Sequence, residues 1–166
     1  MNLPDKNYDY FTVTVDTLGQ ASKNTFSVYL NEPLKNVVQA KLLSTHIHTN
    51  DSVQHLYVDI DEFKTLFSER ASAEYNGANE ISRVRGAFAS IVTASEHTGS
   101  EQLISFRERD HYEITHEYPS PIRRVDRLTV SLLDQTGNTI PEPAQSTDEH
   151  FLVLRFKCMS PSVILP

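Results

Sequence analysis

The residues whose types and spacing stand out first are histidines. His46 and His48 are two apart in a run of β-forming residues, so both imidazoles point to one face of a strand, as metal ligands carried by a strand would. A metal centre needs a third ligand, and nothing singles one out among His55, His97, His111, His116 and His150. The plainer expectation for the pair is a polar strand end. Cys158 is the single cysteine, which excludes an intrachain disulfide and a two-cysteine metal half-site. No motif around it would lower its pKa, so a buried or edge thiol is expected. Glu108, Asp110 and His111 crowd one turn, a pattern of solvated loops. There is no G-x-S-x-G elbow and no phosphate-binding glycine loop, and the chain has only five glycines and no tryptophan. No catalytic, cofactor-binding or metal-binding residue is therefore assigned, and enzyme activity is not expected.

A second cluster is basic. Arg123, Arg124 and Arg127 lie within five residues of each other in a chain of net charge −7. Their guanidinium forks suit bidentate bridges to the carboxylates of a neighbouring molecule. Equally, they suit a solvated strand edge that resists edge-to-edge aggregation. The acidic balance of the whole chain argues against neutralising phosphates, so direct nucleic-acid binding is not expected. Like-charged copies would assemble in a salt-sensitive way.

The elements that must position these residues read with period two. Phe11, Val13 and Val15 share a face, as do Phe26, Val28 and Leu30. Asn31-Glu32-Pro33 is expected to stop the second of these strands, since proline removes a ladder donor. Further strands are predicted over 36–48, 55–60, 88–93, 103–106, 112–116, 128–133 and 151–156. In the last, Leu152, Leu154 and Phe156 oppose Phe151, Val153 and Arg155. One short helix is predicted over about 61–68, from Phe63, Leu66 and Phe67 at helical spacing with Asp59 or Asp61 as cap. A loop is expected over 69–85, around Asn76-Gly77, and a turn at Asp134–Asn138 with Gly137 at positive φ. At 166 residues, 39% apolar and 22% charged, the chain fits one globular domain. No apolar run reaches signal-peptide or membrane-span length, which points to a protein made and kept in water. Period and spacing support a β-sandwich or barrel without separating a jelly roll from an immunoglobulin-like sandwich.

The order of segments adds a resemblance. Phe26–Val37 runs into Ala40–Thr45, followed by Leu56–Phe63 and Ala87–Ile91. Then come Tyr118–Val130, with its P-I-R-R-V-D-R-L-T-V strand, the D-x-x-G-N turn at Asp134–Asn138, and His150–Phe156. Over roughly 24–157 this resembles the single jelly-roll penton and minor capsid proteins of virophages, polinton-like viruses and large nucleocytoplasmic DNA viruses. The resemblance implies an all-β, single jelly-roll β-sandwich of two four-stranded antiparallel sheets with one short helix. It implies one capsid domain over 1–166, with a short N-terminal segment and an extended C-terminal tail from about 159. It further implies a homopentamer at the fivefold vertices of an icosahedral double-stranded DNA virus, beside double jelly-roll major capsid trimers and other minor capsid proteins. Such a subunit is made in the host cytoplasm and located in the virion. No inter-strand gap is long enough for the inserted domain that vertex subunits often carry. Val163, Ile164 and Leu165 of the tail would dock on an adjacent subunit or on their own sandwich.

Two alternatives accompany it. One is another single jelly-roll minor capsid protein; the other is a lectin-like ligand-binding module, for which Tyr75 and Tyr118 are the loop aromatics. The His-x-His pair also resembles cupin metalloenzymes. However, Thr49-Asn50-Asp51-Ser52 supplies neither the downstream glutamate nor the flanking glycine of that pattern.

Overall fold

The computed structural model describes residues 7–50, 52–64, 70, 74–75, 78–79, 84–93 and 101–160. Alternating apolar residues produce strands throughout: β1 (Tyr8–Asp16), β2 (Thr25–Asn50), β3 (His55–Ile60), β4 (Glu74–Tyr75), β5 (Ala78–Asn79), β6 (Ala89–Val92), β7 (Glu101–Arg107), β8 (Ile114–Leu133) and β9 (Phe151–Met159). The period-two expectation holds best in β9, where Leu152, Leu154, Phe156 and Cys158 are buried in alternation. In β7 the same alternation buries Gln102, Ile104 and Phe106. Along β1 the inner face fades: Val15 is buried, Val13 packs at the rim of the core, and Phe11 is exposed.

Seven strands form one antiparallel sheet, and β4 and β5 make a separate two-stranded ladder inside the stretch expected to be a loop. The sheet is built around two long strands, β2 of 26 residues and β8 of 20. The sequence predicts breaks in both; the structure bends them instead. In β2 the residues Leu30–Pro33 face Asp126 alone, between the pairs Tyr29↔Arg127 and Leu34↔Val125. Pro33 thus falls in a bulge, where no ladder donor is required, and the strand continues past it. In β8 the residues Tyr118–Pro121 face Val38 alone, so Pro119 and Pro121 are accommodated in the same way. Asn36 follows the first bulge at φ 52, a left-handed conformation that asparagine tolerates. Asn36→Val is expected to lower stability by about 1–2 kcal/mol, and Asn36→Gly to be nearly neutral, when the two are compared by urea denaturation.

The bends let each long strand serve both ends of a curled sheet. The first part of β2 pairs the last part of β8, which pairs β3, which pairs β6. The second part of β2 lies between β9 and, on its other flank, the start of β8 followed by β7; β9 in turn pairs β1. The two separate four-stranded sheets of the sequence expectation are therefore joined, because β2 and β8 run unbroken through both. One core fills the curl. Phe63, just beyond β3, stacks on Phe156 of β9 with ring centroids 5.1 Å apart, although β3 and β9 are not neighbours in the sheet. The result is an all-β half-barrel, consistent with a sandwich.

The predicted helix is corrected to a three-residue 3-10 turn, Asp61–Phe63, whose preceding residue Ile60 makes no side-chain cap. Asp59 and Asp61 are engaged by Lys64 at 3.3 and 3.0 Å instead of capping. Glu62 is drawn sideways to β8, where its carboxylate accepts the Thr129 amide at 2.7 Å and the Thr129 hydroxyl at 3.0 Å. Leu66 and Phe67 lie outside the described residues, as do the tail residues Val163, Ile164 and Leu165. Strand β9 runs on to Met159, and the Ser160 amide donates to Asn7 O at 3.0 Å, so pairing persists where the tail was expected to begin. Gly137 adopts φ 83 in the predicted turn, where Asp134 Oδ1 accepts the Thr136 and Asn138 amides.

Candidate functional site

His46 and His48 share a face of β2 as the spacing requires, with ring centroids 5.0 Å apart. His46 is exposed, and His48 is half-buried with Nδ1 3.9 Å from Asp148 Oδ2. Among the described residues no group of three His, Cys, Asp or Glu is arranged to hold a metal ion. The other described histidines are engaged elsewhere. His55 Nε2 bonds Ser90 Oγ at 2.7 Å, and its ring stacks on Tyr57. His111 Nδ1 bonds Arg107 O at 2.9 Å, and its ring stacks on Phe106. His116 Nε2 bonds Phe88 O at 2.5 Å. His97 lies outside the described residues.

The structure instead draws attention to His150, at the entry to β9, which is fully buried. Its Nδ1 accepts the backbone amide of His48 at 3.2 Å, and its Nε2 lies 3.3 Å from Asn24 Oδ1. Its own amide donates to Thr17 Oγ1 at 2.9 Å, and its carbonyl accepts the Thr17 amide at 3.2 Å. Around it the β1–β2 turn and the 141–150 segment are laced together. Lys23 Nζ donates to Ser146 O, Asp148 O and Glu149 Oε1 at 2.7, 2.8 and 2.8 Å. Thr17 Oγ1 donates to Glu149 Oε2 at 2.5 Å, and Asn24 Nδ2 to Ile140 O at 2.7 Å. Burial pushes the His150 imidazole down to about 4, with His48 and Lys23 adding to the effect. Hydrogen bonds from Lys23 and then Thr17 hold the Glu149 carboxyl below its ordinary value. Lys23→Met would leave three acceptors without their ammonium donor. It is expected to lower stability by about 2 kcal/mol, read as a fall in Tm at neutral pH.

The three arginines are exposed along β8. Arg124 folds back on its own strand, with Nε 2.9 and 3.0 Å from the two Asp126 carboxylate oxygens. Arg127 Nε lies 3.6 Å from Glu62 Oε1. Arg123 is exposed and pairs with no carboxylate among the described residues. The register sets Arg127 opposite Tyr29, which is 75% exposed, and Arg124 opposite Lys35. At this level β8 is flanked on one side by β2, and its other flank has no paired strand among the described residues.

Other candidates resolve simply. Cys158 is buried, and burial pushes its thiol up. Glu108 and Asp110 form an exposed 3-10 turn, but Glu108 and Glu113 both pair with Lys41. Tyr118 turns inward: its ring is 5.8 Å from that of Phe63 and its hydroxyl donates to Phe63 O at 3.4 Å, so it offers no stacking platform. The side chain of Tyr75 lies outside the described residues. Among the described residues no helix is long and apolar enough to cross a membrane.

Fold and site together define a class: an all-β chain on one curled antiparallel sheet, with a hydrogen-bonded loop corner and exposed arginines along β8. No protein-family model matches the chain, and no curated protein matches it.

Proposed function

We propose that this chain is a single jelly-roll capsid subunit, the penton that closes the fivefold vertices of an icosahedral double-stranded DNA virus. The observation that carries the proposal is the pairing order. Counting the two halves of β2 separately, and leaving out the short β4–β5 ladder, gives eight segments in chain order. The first pairs the last (β1 with β9), the second the seventh (β2 with the end of β8), the third the sixth (β2 with β7) and the fourth the fifth (β3 with β6). That order matches one long antiparallel hairpin rolled up, the arrangement of a jelly roll, and supports that reading. Rolling then brings the eighth segment beside the third and the seventh beside the fourth, as in the pairs of β9 with β2 and of β8 with β3.

A closing ring uses two different patches on every copy. Tyr29, exposed opposite Arg127, and the exposed Arg123 are of the residue types that dominate interface energetics, on a chain of net charge −7. Major capsid trimers of double jelly-roll type and other minor capsid proteins would be its neighbours in the shell, and the virion its location. Electron microscopy of the purified protein tests the proposal: closed rings of five subunits are expected, and open chains or rings of another number contradict it.

A further inference from the structure

We propose that His150 is an acid-sensitive clasp: its neutral ring holds the β1–β2 turn and the 141–150 segment onto β2, and protonation releases that end of the sheet while the core stays folded. The inference does not depend on the capsid proposal. It rests on a hydrogen-bond arrangement that admits one form of the ring. Asn24 Nδ2 donates to Ile140 O at 2.7 Å, which fixes the side-chain amide so that Oδ1 faces His150. An oxygen there requires Nε2 to carry the proton. Nδ1 must then be bare, as it is when it accepts the His48 amide at 3.2 Å. The only site left for a second proton is Nδ1, where it would meet the His48 N–H head-on. Protonation therefore breaks the bond from the loop corner to β2, and it places a charge on a ring with no exposure to water.

The surroundings do not offset that charge: Glu149 favours it, but burial, His48 and Lys23 outweigh it. From β2, His46 and His48 face the site and disfavour a charge on the ring. From the β1–β2 turn, Lys23 is already positive and consumes Glu149, while Asp148 lies toward His48 and not His150. The segments the clasp joins are held largely by polar bonds, those of Thr17, Lys23 and Asn24, whereas the strands beneath are held by apolar packing of Leu128, Val130, Leu152 and Leu154. The corner thus opens at a lower cost than the core, and acid lowers that cost further.

Hydrogen–deuterium exchange at pH 7.5 and 4.5, corrected for the intrinsic pH dependence of amide exchange, tests this. Protection over 17–24, 46–48 and 146–150 is expected to fall on the order of 50-fold, with 128–132 remaining the better protected at both pH values. Corner protection equal to that of the core at pH 4.5, or no loss at the corner, overturns the clasp. In His150→Gln the corner should lose its pH response, and a response that persists would assign it to other groups. Should that variant not fold, the ring nitrogen shifts of His150 in the unaltered protein decide. A proton on Nε2 with titration well below 6 supports the clasp, and a proton on Nδ1 or ordinary titration overturns it.

Discussion

Phe156→Ala is expected to lower the free energy of unfolding by about 3–5 kcal/mol, the largest effect of any single truncation considered. Phe156 is fully buried and stacks on Phe63, so its ring joins β9 to the segment after β3 across the interior of the curl. Phe63 also touches Phe88 and Tyr118, and the cavity left by Phe156 cannot collapse without moving all three rings. Phe11→Ala is the control. Phe11 pairs directly with Phe156 in the β1–β9 ladder yet is 41% exposed, so its truncation should cost about 1 kcal/mol or less. Urea denaturation of the two variants separates them; equal losses would mean that the curl is not closed over Phe156.

Stability is also expected to fall as pH drops from about 6.5 toward 4, and the sign follows from His150. Its ordinary value is 6.5, and burial in the fold pushes it down to about 4. Between these values the unfolded chain binds a proton that the folded chain refuses, so stability rises with pH across the window and is fully present above it. The difference amounts to about 3 kcal/mol. His55 is shifted downward by burial as well and acts in the same direction. Glu149, held below its ordinary 4.5, adds a further loss as pH falls through its depressed value. Asp59, raised by burial from 3.8, opposes it, gaining stability as it protonates. Denaturant midpoints measured from pH 7.5 to 4 should decline, and His150→Gln should flatten the decline above pH 4.5. An unchanged slope in that variant contradicts the assignment.

The strands were legible because burial on one face imposes period two, and β9 shows it cleanly in the sequence. What was not legible was continuity. Pro33, Pro119 and Pro121 look like strand breaks, but a bulge removes the need for their missing donors, and the partner strand that makes a bulge possible is remote in sequence. The helix over 61–68 was misjudged for a related reason. Asp59 and Asp61 look like capping residues, yet Lys64 engages both. The histidine pair was legible as a shared face. His150 was not, because its meaning depends on Thr17 and Asn24, more than a hundred residues away, and no local pattern marks it. The arginine cluster was visible in composition, whereas the approach of Arg127 to Glu62 needed the fold that brings the turn after β3 against β8.

The solution mass of the purified protein, measured by light scattering at low and moderate salt, tests the central claim most directly. A homopentamer of 18.8 kDa chains, five times that mass or about 94 kDa, is expected, with its population shifting with salt as charged interfaces require. A monomer at every concentration and salt level would contradict the account.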